Sequence, residues 1–116
     1  MYTLAEARTA LAELRPRIEA FLAARADLAE LRADLEREVP SPFGGRAEAK
    51  ALEARLYADL EHFGATGAQV KGFAPLLLDF PGVYLGEDVL WCWLESEPEI
   101  TWYHRADCGF PGRRPV

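Results

Sequence analysis

The periodicity of the chain changes at Gly64, and this change limits the fold more than any other feature of the sequence. Of the nine glycines, seven lie from Gly64 onward. Ahead of it, apolar residues recur every three or four positions, which is typical of amphipathic helices. Behind it, short aromatic and branched runs alternate with glycines and prolines, which is typical of strands and turns. We therefore predict a single α+β domain, with a helical hairpin over residues 1–63 and a β-meander with a C-terminal tail over residues 64–116.

The first helix should begin at Leu4, because Thr3 and Glu6 form a capping-box pattern just ahead of an apolar stripe. The stripe has the a/d spacing of a coiled coil, although arginines interrupt it, and this suits packing in a small bundle. Pro16 lies inside the stripe, where it removes a backbone hydrogen bond. We therefore expect a first arm that is broken or kinked near Pro16.

The second helix should run antiparallel to the first. Prolines and glycines cluster at residues 40–45 and predict a turn, and the helical pattern resumes over residues 46–63. At about 1.5 Å per residue the first arm is far longer than the return arm. Its unmatched apolar surface, at residues 4–21, should pack on the strands or on a second copy of the chain. We accordingly predict a homodimer through the N-terminal helices.

The strand half should form a small antiparallel sheet of two to three strands on which the helical hairpin packs. The first strand is the apolar run at residues 76–80, and its flanking prolines predict that it lies at a sheet edge. Asp79 interrupts this run. A solvated carboxylate is the more common interpretation, and an acid turned inward toward a paired cation is the other.

A β-hairpin is predicted where residues 89–95 and 100–104 flank a turn that contains Pro98. A loop of two or four residues would place Trp91 opposite His104. A loop of three residues would place Cys92 there instead. The sequence leaves both registers open.

Composition excludes several classes of protein. The net charge is -6 and no basic stripe offsets it, so a nucleic-acid partner is not expected. No apolar run approaches the length of a membrane span and no signal pattern opens the chain, so we predict a cytoplasmic protein without a membrane partner. In that compartment the two cysteines should be free thiols.

Candidate functional residues collect at the C-terminal corner. Arg113 and Arg114 are suited to hold a small anionic ligand. His104 and Asp107, with Cys108, Cys92 or His62, offer N, O and S ligands for a metal ion. No close pair of metal ligands supports such a site, however, so no cofactor is expected. The full set of ligand-binding candidates is His104, Asp107, Arg113, Arg114, Asp79 and Trp102.

Several motifs resemble the bacterial domain-of-unknown-function family 2203. They are LDFP and VLWCWLESEPEI, then His104 followed by GF and GR, and the N-terminal strings TLAEA and LRP. The resemblance covers most of the chain but implies no activity, because the family has none established. The family usually has Glu after the motif histidine, where this chain has Arg105.

Taken together, these patterns predict a non-catalytic binding or scaffold module that acts as a homo-oligomer. The alternative is a small metal- or anion-binding enzyme with a site around His104, Asp107 and Arg113.

Overall fold

The structure is a computed structural model that describes residues 1–116, and it has an α+β architecture of two helices and one antiparallel sheet. Five strands form the sheet as a simple meander in chain order, so the prediction of two to three strands was wrong. The elements are α1 (Leu4–Glu36), α2 (Arg46–Ala65), β1 (Gln69–Phe73), β2 (Leu76–Tyr84), β3 (Glu87–Leu94), β4 (Trp102–Arg105), a 3₁₀ turn (Phe110–Gly112) and β5 (Arg114–Pro115).

The chain forms two compact units. The first contains residues 1–14 and 63–116, and therefore holds the whole sheet and the first turns of α1. The second contains residues 15–62, which are the rest of α1, the connecting turn and nearly all of α2.

Helix α1 begins where its capping box predicts. The Thr3 N–H donates to Glu6 Oε1 at 2.9 Å and the Glu6 N–H donates to Thr3 Oγ1 at 3.1 Å. The helix then continues through Pro16 as one element, so the chain does not break there, and the kink stays a prediction. Leu14 and Ile18, on either side of the proline, are both buried, and packing of an apolar face stabilises a helix more than one backbone hydrogen bond does.

The second unit is an antiparallel helical hairpin. Its two arms are joined by ion pairs from Arg17 to Asp59 and from Arg32 to Glu53, each at 2.8 Å. Neither helix has a stretch that is both long and apolar enough to span a bilayer.

The N-terminal stripe that motivated the homodimer prediction is already buried in a single chain. Its residues Leu11, Leu14, Ile18 and Phe21 are at most 5% exposed. The dimer therefore stays a prediction without support from leftover surface. Sedimentation velocity over micromolar concentrations tests it.

Strand β2 lies between β1 and β3, so its predicted position at the edge was wrong. The proline signal nevertheless has a local cause. Strand β1 pairs only with residues 76–79, and the Tyr2 N–H donates to the Pro81 carbonyl at 2.7 Å on the side beyond the end of β1. The N and C=O of one strand residue point to the same side of the strand. The missing N–H of Pro81 is therefore on the side of β2 where β1 has already ended, so no strand hydrogen bond is lost.

The hairpin of β3 and β4 has neither predicted register. Leu90 lies opposite His104, Trp91 opposite Tyr103 and Cys92 opposite Trp102. The connection covers residues 95–101 and is therefore longer than a tight turn. Its first residue, Glu95, donates its backbone N–H to the Leu76 carbonyl of β2. Glu97 holds it, since its Oε1 accepts from the Leu94 N–H at 2.7 Å.

The β2–β3 connection is a two-residue hairpin turn at Leu85 and Gly86. Both residues have positive φ, 52° and 79°, which defines a type I′ geometry. Leucine is an unusual residue in this conformation.

One face of the sheet carries the aromatic core of the first unit. Phe80, Trp91 and Tyr103 are directly opposite one another on β2, β3 and β4. Tyr2, just ahead of α1, meets the Phe80 ring edge-on at 5.3 Å, and its carbonyl accepts from the Trp91 indole N–H at 2.8 Å. The other face carries the polar residues described next.

Candidate metal centre

Three residues with metal-binding side chains share the other face of the sheet. Asp79 lies directly opposite Cys92, and Cys92 directly opposite Trp102, so the side chains of Asp79, Cys92 and Trp102 point to the same face. His104 is two residues beyond Trp102 and therefore joins them. One ligand atom from each of Asp79, Cys92 and His104 lies within 4.8 Å of the other two.

These three side chains are inaccessible to solvent. Asp79 is 1% exposed, Cys92 0% and His104 2%. Acids are seldom buried this fully unless they are paired. The inward interpretation of Asp79, with a cationic partner, is therefore the one that the structure supports.

His104 is fixed at both ring nitrogens. Nδ1 lies 2.9 Å from the carbonyl oxygen of Arg105, and Nε2 lies 3.0 Å from Asp79 Oδ2. A neutral imidazole has one N–H, and both neighbours are acceptors. Both ring nitrogens are therefore within hydrogen-bond distance of an oxygen acceptor.

The two oxygens of Asp79 have unequal surroundings. Oδ2 also lies 3.3 Å from the ammonium group of Lys71, so this one oxygen contacts both Lys71 and His104. Oδ1 is buried and has no hydrogen-bond partner. An unpaired polar atom in a protein interior costs about 1–3 kcal/mol. Asp79 thus has spare capacity to bind a donor or a cation.

Cys92 is held as a thiol. Burial raises its pKa from 9.0 to about 12, and the carboxylate of Asp79 acts in the same direction through its charge and a hydrogen bond. Cys92 is buried as fully as the apolar core residues, and the sheet places the polar side chain of Asp79 beside its sulfur.

Arg113 and Trp102, both predicted to bind a ligand, belong to a clamp beside this cluster. The guanidinium group lies over the rings of Trp102 and Phe110, at 5.0 and 4.8 Å from their centroids. Its Nη2 donates to both carboxylate oxygens of Glu97, at 2.7 and 2.9 Å. Because Glu97 already supplies the anionic partner, the predicted anion site at Arg113 is filled from within the chain.

The remaining predicted residues lie on the surface, away from the cluster. Asp107 and Cys108 are exposed, as is Arg114 in β5. The Arg105 guanidinium donates to Asp107 at 2.5 Å, and this hydrogen bond lowers the pKa of Asp107. Asp107 also lines an open surface cleft of about 290 Å³ with Glu87 and Asp88, and His104 is not part of it. The structure therefore does not bring Asp107 together with His104, and His62 belongs to the other unit.

Sequence reasoning missed Lys71 and Glu97 as neighbours of the cluster. Their positions depend on strand pairing and on the 95–101 connection, which no local pattern encodes. The sequence contained one indication of the cluster, because Asp79 is the single acid that interrupts the apolar run of β2.

The fold and the cluster define an α+β protein with a buried polar cluster in its sheet. The chain belongs to the family described as uncharacterized conserved protein DUF2203, whose sequence model matches residues 1–116. Comparison with curated proteins and with solved structures found no match.

Proposed function

We propose that this protein is a non-catalytic binding module that holds a divalent transition-metal ion at Asp79, Cys92 and His104. One observation carries the proposal: an oxygen, a sulfur and a nitrogen ligand converge within 4.8 Å, and the carboxylate among them has a buried oxygen without a partner.

The donor set selects the class of metal. Calcium and magnesium prefer shells made of oxygen alone, whereas mixed N, O and S donors suit zinc and its neighbours in the first transition row. Three protein ligands leave one position of a tetrahedral ion for water or another small ligand. A zinc-class ion is therefore the expected ligand.

The surroundings of His104 fit this use. A metal-binding histidine usually donates its second ring N–H to a carbonyl or carboxylate, which fixes the tautomer and aims the free nitrogen at the ion. In this chain Nδ1 contacts the Arg105 carbonyl and Nε2 faces Asp79. The family's usual Glu after the histidine is not needed for this arrangement, because the backbone of Arg105 supplies the contact.

The cluster suits binding more than turnover. All three side chains are at most 2% exposed, so a substrate larger than a small ion or water has no direct access to them. The Cys92 pKa of about 12 also keeps the sulfur protonated near neutral pH, which opposes its use as a nucleophile. A thiolate at this position would be stabilised by the charge of a divalent cation.

Titration of metal-free, reduced protein with Co²⁺ tests the proposal, because thiolate ligation gives an absorption band in the near ultraviolet. We expect one equivalent to bind with this band, and Zn²⁺ to displace it. Cys92→Ser should abolish the band, and His104→Gln should weaken binding at least about tenfold, the usual loss for a ligand shell that is disturbed.

The chain has a matched control for each variant, since it contains only two cysteines and two histidines. Cys108→Ser and His62→Gln should bind Co²⁺ like the wild type. Circular dichroism verifies that each variant is folded. Folded wild-type protein that gives no thiolate band and no thermal stabilisation with Co²⁺ or Zn²⁺ would refute the proposal.

A further inference from the structure

Lys71 lies beside the cluster, on the strand next to Asp79. The pairing of β1 with β2 places Gln69 opposite Asp79, and Lys71, two residues further along β1, is on the same side of the sheet. A β-bulge follows at this point, because the pairing runs from Val70 opposite Leu78 directly to Gly72 opposite Leu77. The Lys71 ammonium group lies 3.3 Å from a carboxylate that is otherwise closed to solvent.

The residue after the bulge is glycine for a steric reason. A Cβ at Gly72 would lie 2.8 Å from the Pro75 carbonyl oxygen and 3.3 Å from Leu77 Cβ. Lys71 is therefore followed by the small residue that the bulge requires.

Lys71 is also the member of the group that contacts solvent. Its side chain is 43% exposed, against 2% for the side chains of Asp79 and His104. Its ammonium group shares Asp79 Oδ2 with His104, on the very carboxylate that the proposed metal site requires. The long, flexible side chain can therefore leave the carboxylate for water without any change in the sheet.

We propose that Lys71 competes with the metal ion for Asp79. Its ammonium group forms an ion pair with the Asp79 carboxylate in the metal-free protein and moves into solvent when a divalent ion binds. This inference rests on the proposed metal-binding function. It defines the site as exchangeable, one whose occupancy follows the available metal, in contrast to a structural ion that is bound permanently.

Electrostatics sets the expected size of the effect. A divalent ion on Asp79 would repel an ammonium group about 5 Å away even in water-like surroundings, so Lys71 must move aside or weaken binding. Removal of its charge should therefore tighten metal binding at least about tenfold.

The experiment compares wild-type protein with Lys71→Met and Lys50→Met in competition titrations of Zn²⁺ against a chromophoric chelator. Methionine keeps most of the length and apolar contact of lysine without its charge. Lys50 is the matched control, because it is the only other lysine of the chain and lies in the other unit. We expect Lys71→Met to bind Zn²⁺ at least about tenfold more tightly than both other proteins.

The outcomes separate the two proposals. Zn²⁺ binding with equal affinity in all three proteins, or weaker binding in Lys71→Met, refutes the role of Lys71 and leaves the metal site in place. Absence of binding in all three folded proteins refutes the metal site and, with it, the inference.

Discussion

The protonated thiol of Cys92 should make the stability of this protein fall at alkaline pH. The perturbation is Cys92→Ser, which keeps a hydrogen-bond donor of similar shape next to Asp79 but removes the titration. In the folded chain the pKa of Cys92 is raised from 9.0 to about 12, first by burial and then by Asp79. A raised pKa means that the folded state holds this proton more tightly than the unfolded chain does.

The sign and size of the effect follow from linkage. Below pH 9 the thiol is protonated in both states, and its contribution to stability is fully present. Between pH 9 and pH 12 the unfolded chain loses the proton first, so the free energy of unfolding falls by about 1.36 kcal/mol per pH unit. The loss should reach about 2 kcal/mol at pH 10.5 and about 4 kcal/mol at pH 12.

Urea unfolding at pH 8 and pH 10.5 measures this loss, with reductant and EDTA present so that neither oxidation nor metal contributes. Tyrosines and lysines also titrate in this range, but they are common to both proteins and cancel in the difference. The wild type should lose about 2 kcal/mol more than Cys92→Ser between the two pH values. Cys108→Ser should behave like the wild type. Equal losses in the wild type and Cys92→Ser would refute the assignment of a buried, protonated thiol.

Three further predictions concern separate parts of the first unit. Leu85→Asn should raise the free energy of unfolding by roughly 0.5–1 kcal/mol in chemical denaturation, because Leu85 has φ 52° in a turn where asparagine is favoured; an unchanged or lower stability would contradict it. Iodoacetamide at pH 8 should modify exposed Cys108 in the native protein and buried Cys92 only after unfolding, and peptide mass spectrometry distinguishes the two; early modification of Cys92 would contradict its burial. Glu97→Gln should destabilise the protein by about 1–3 kcal/mol because it weakens the clamp on Arg113, whereas Arg114→Gln on the surface should change stability by less than about 0.5 kcal/mol; thermal and urea unfolding that rank the two variants equally would argue against the clamp.

The helical half was predictable because its signals are local. The capping box at Thr3 and Glu6 lies within one turn of helix, and the breakers at residues 40–45 act on their own neighbours. The exception was Pro16. Its local preference for a break is outweighed by the burial of apolar residues on both sides, which a rule about one residue does not contain.

The sheet was less predictable because pairing defines its outer strands. Strand β5 is two residues long and includes a proline, so only its bonds to β4 identify it. Strand β1 contains Lys71 and Gly72 and has a half-exposed pattern without an apolar run. The register of β3 and β4 was missed because residues 95–101 form a connection longer than the predicted turn. In this connection Glu95 donates its backbone N–H to β2.

The candidate site shows the same division between local and distant information. His104 and Asp79 were both recognised as unusual residues, but Asp107 was chosen as the histidine's partner because it is near in sequence. In an antiparallel meander the neighbour of a side chain is found across the strands, 25 residues away for this pair. Cys92 joins them through the same register, and Lys71 through the pairing of β1 with β2. None of these relations can be read from spacing along one strand.

The energetics of the cluster favour a binding role over a purely structural one. A buried ion pair seldom stabilises a fold more than well-packed apolar residues of the same volume, because desolvation of the charges offsets their attraction. Asp79 makes this balance worse, since one of its oxygens has no donor. An apolar pair in place of Asp79 and His104 would avoid this cost and preserve the aromatic core on the other face. This balance supports the proposed binding role, in which the unpaired oxygen, the imidazole nitrogen and the sulfur hold a zinc-class cation.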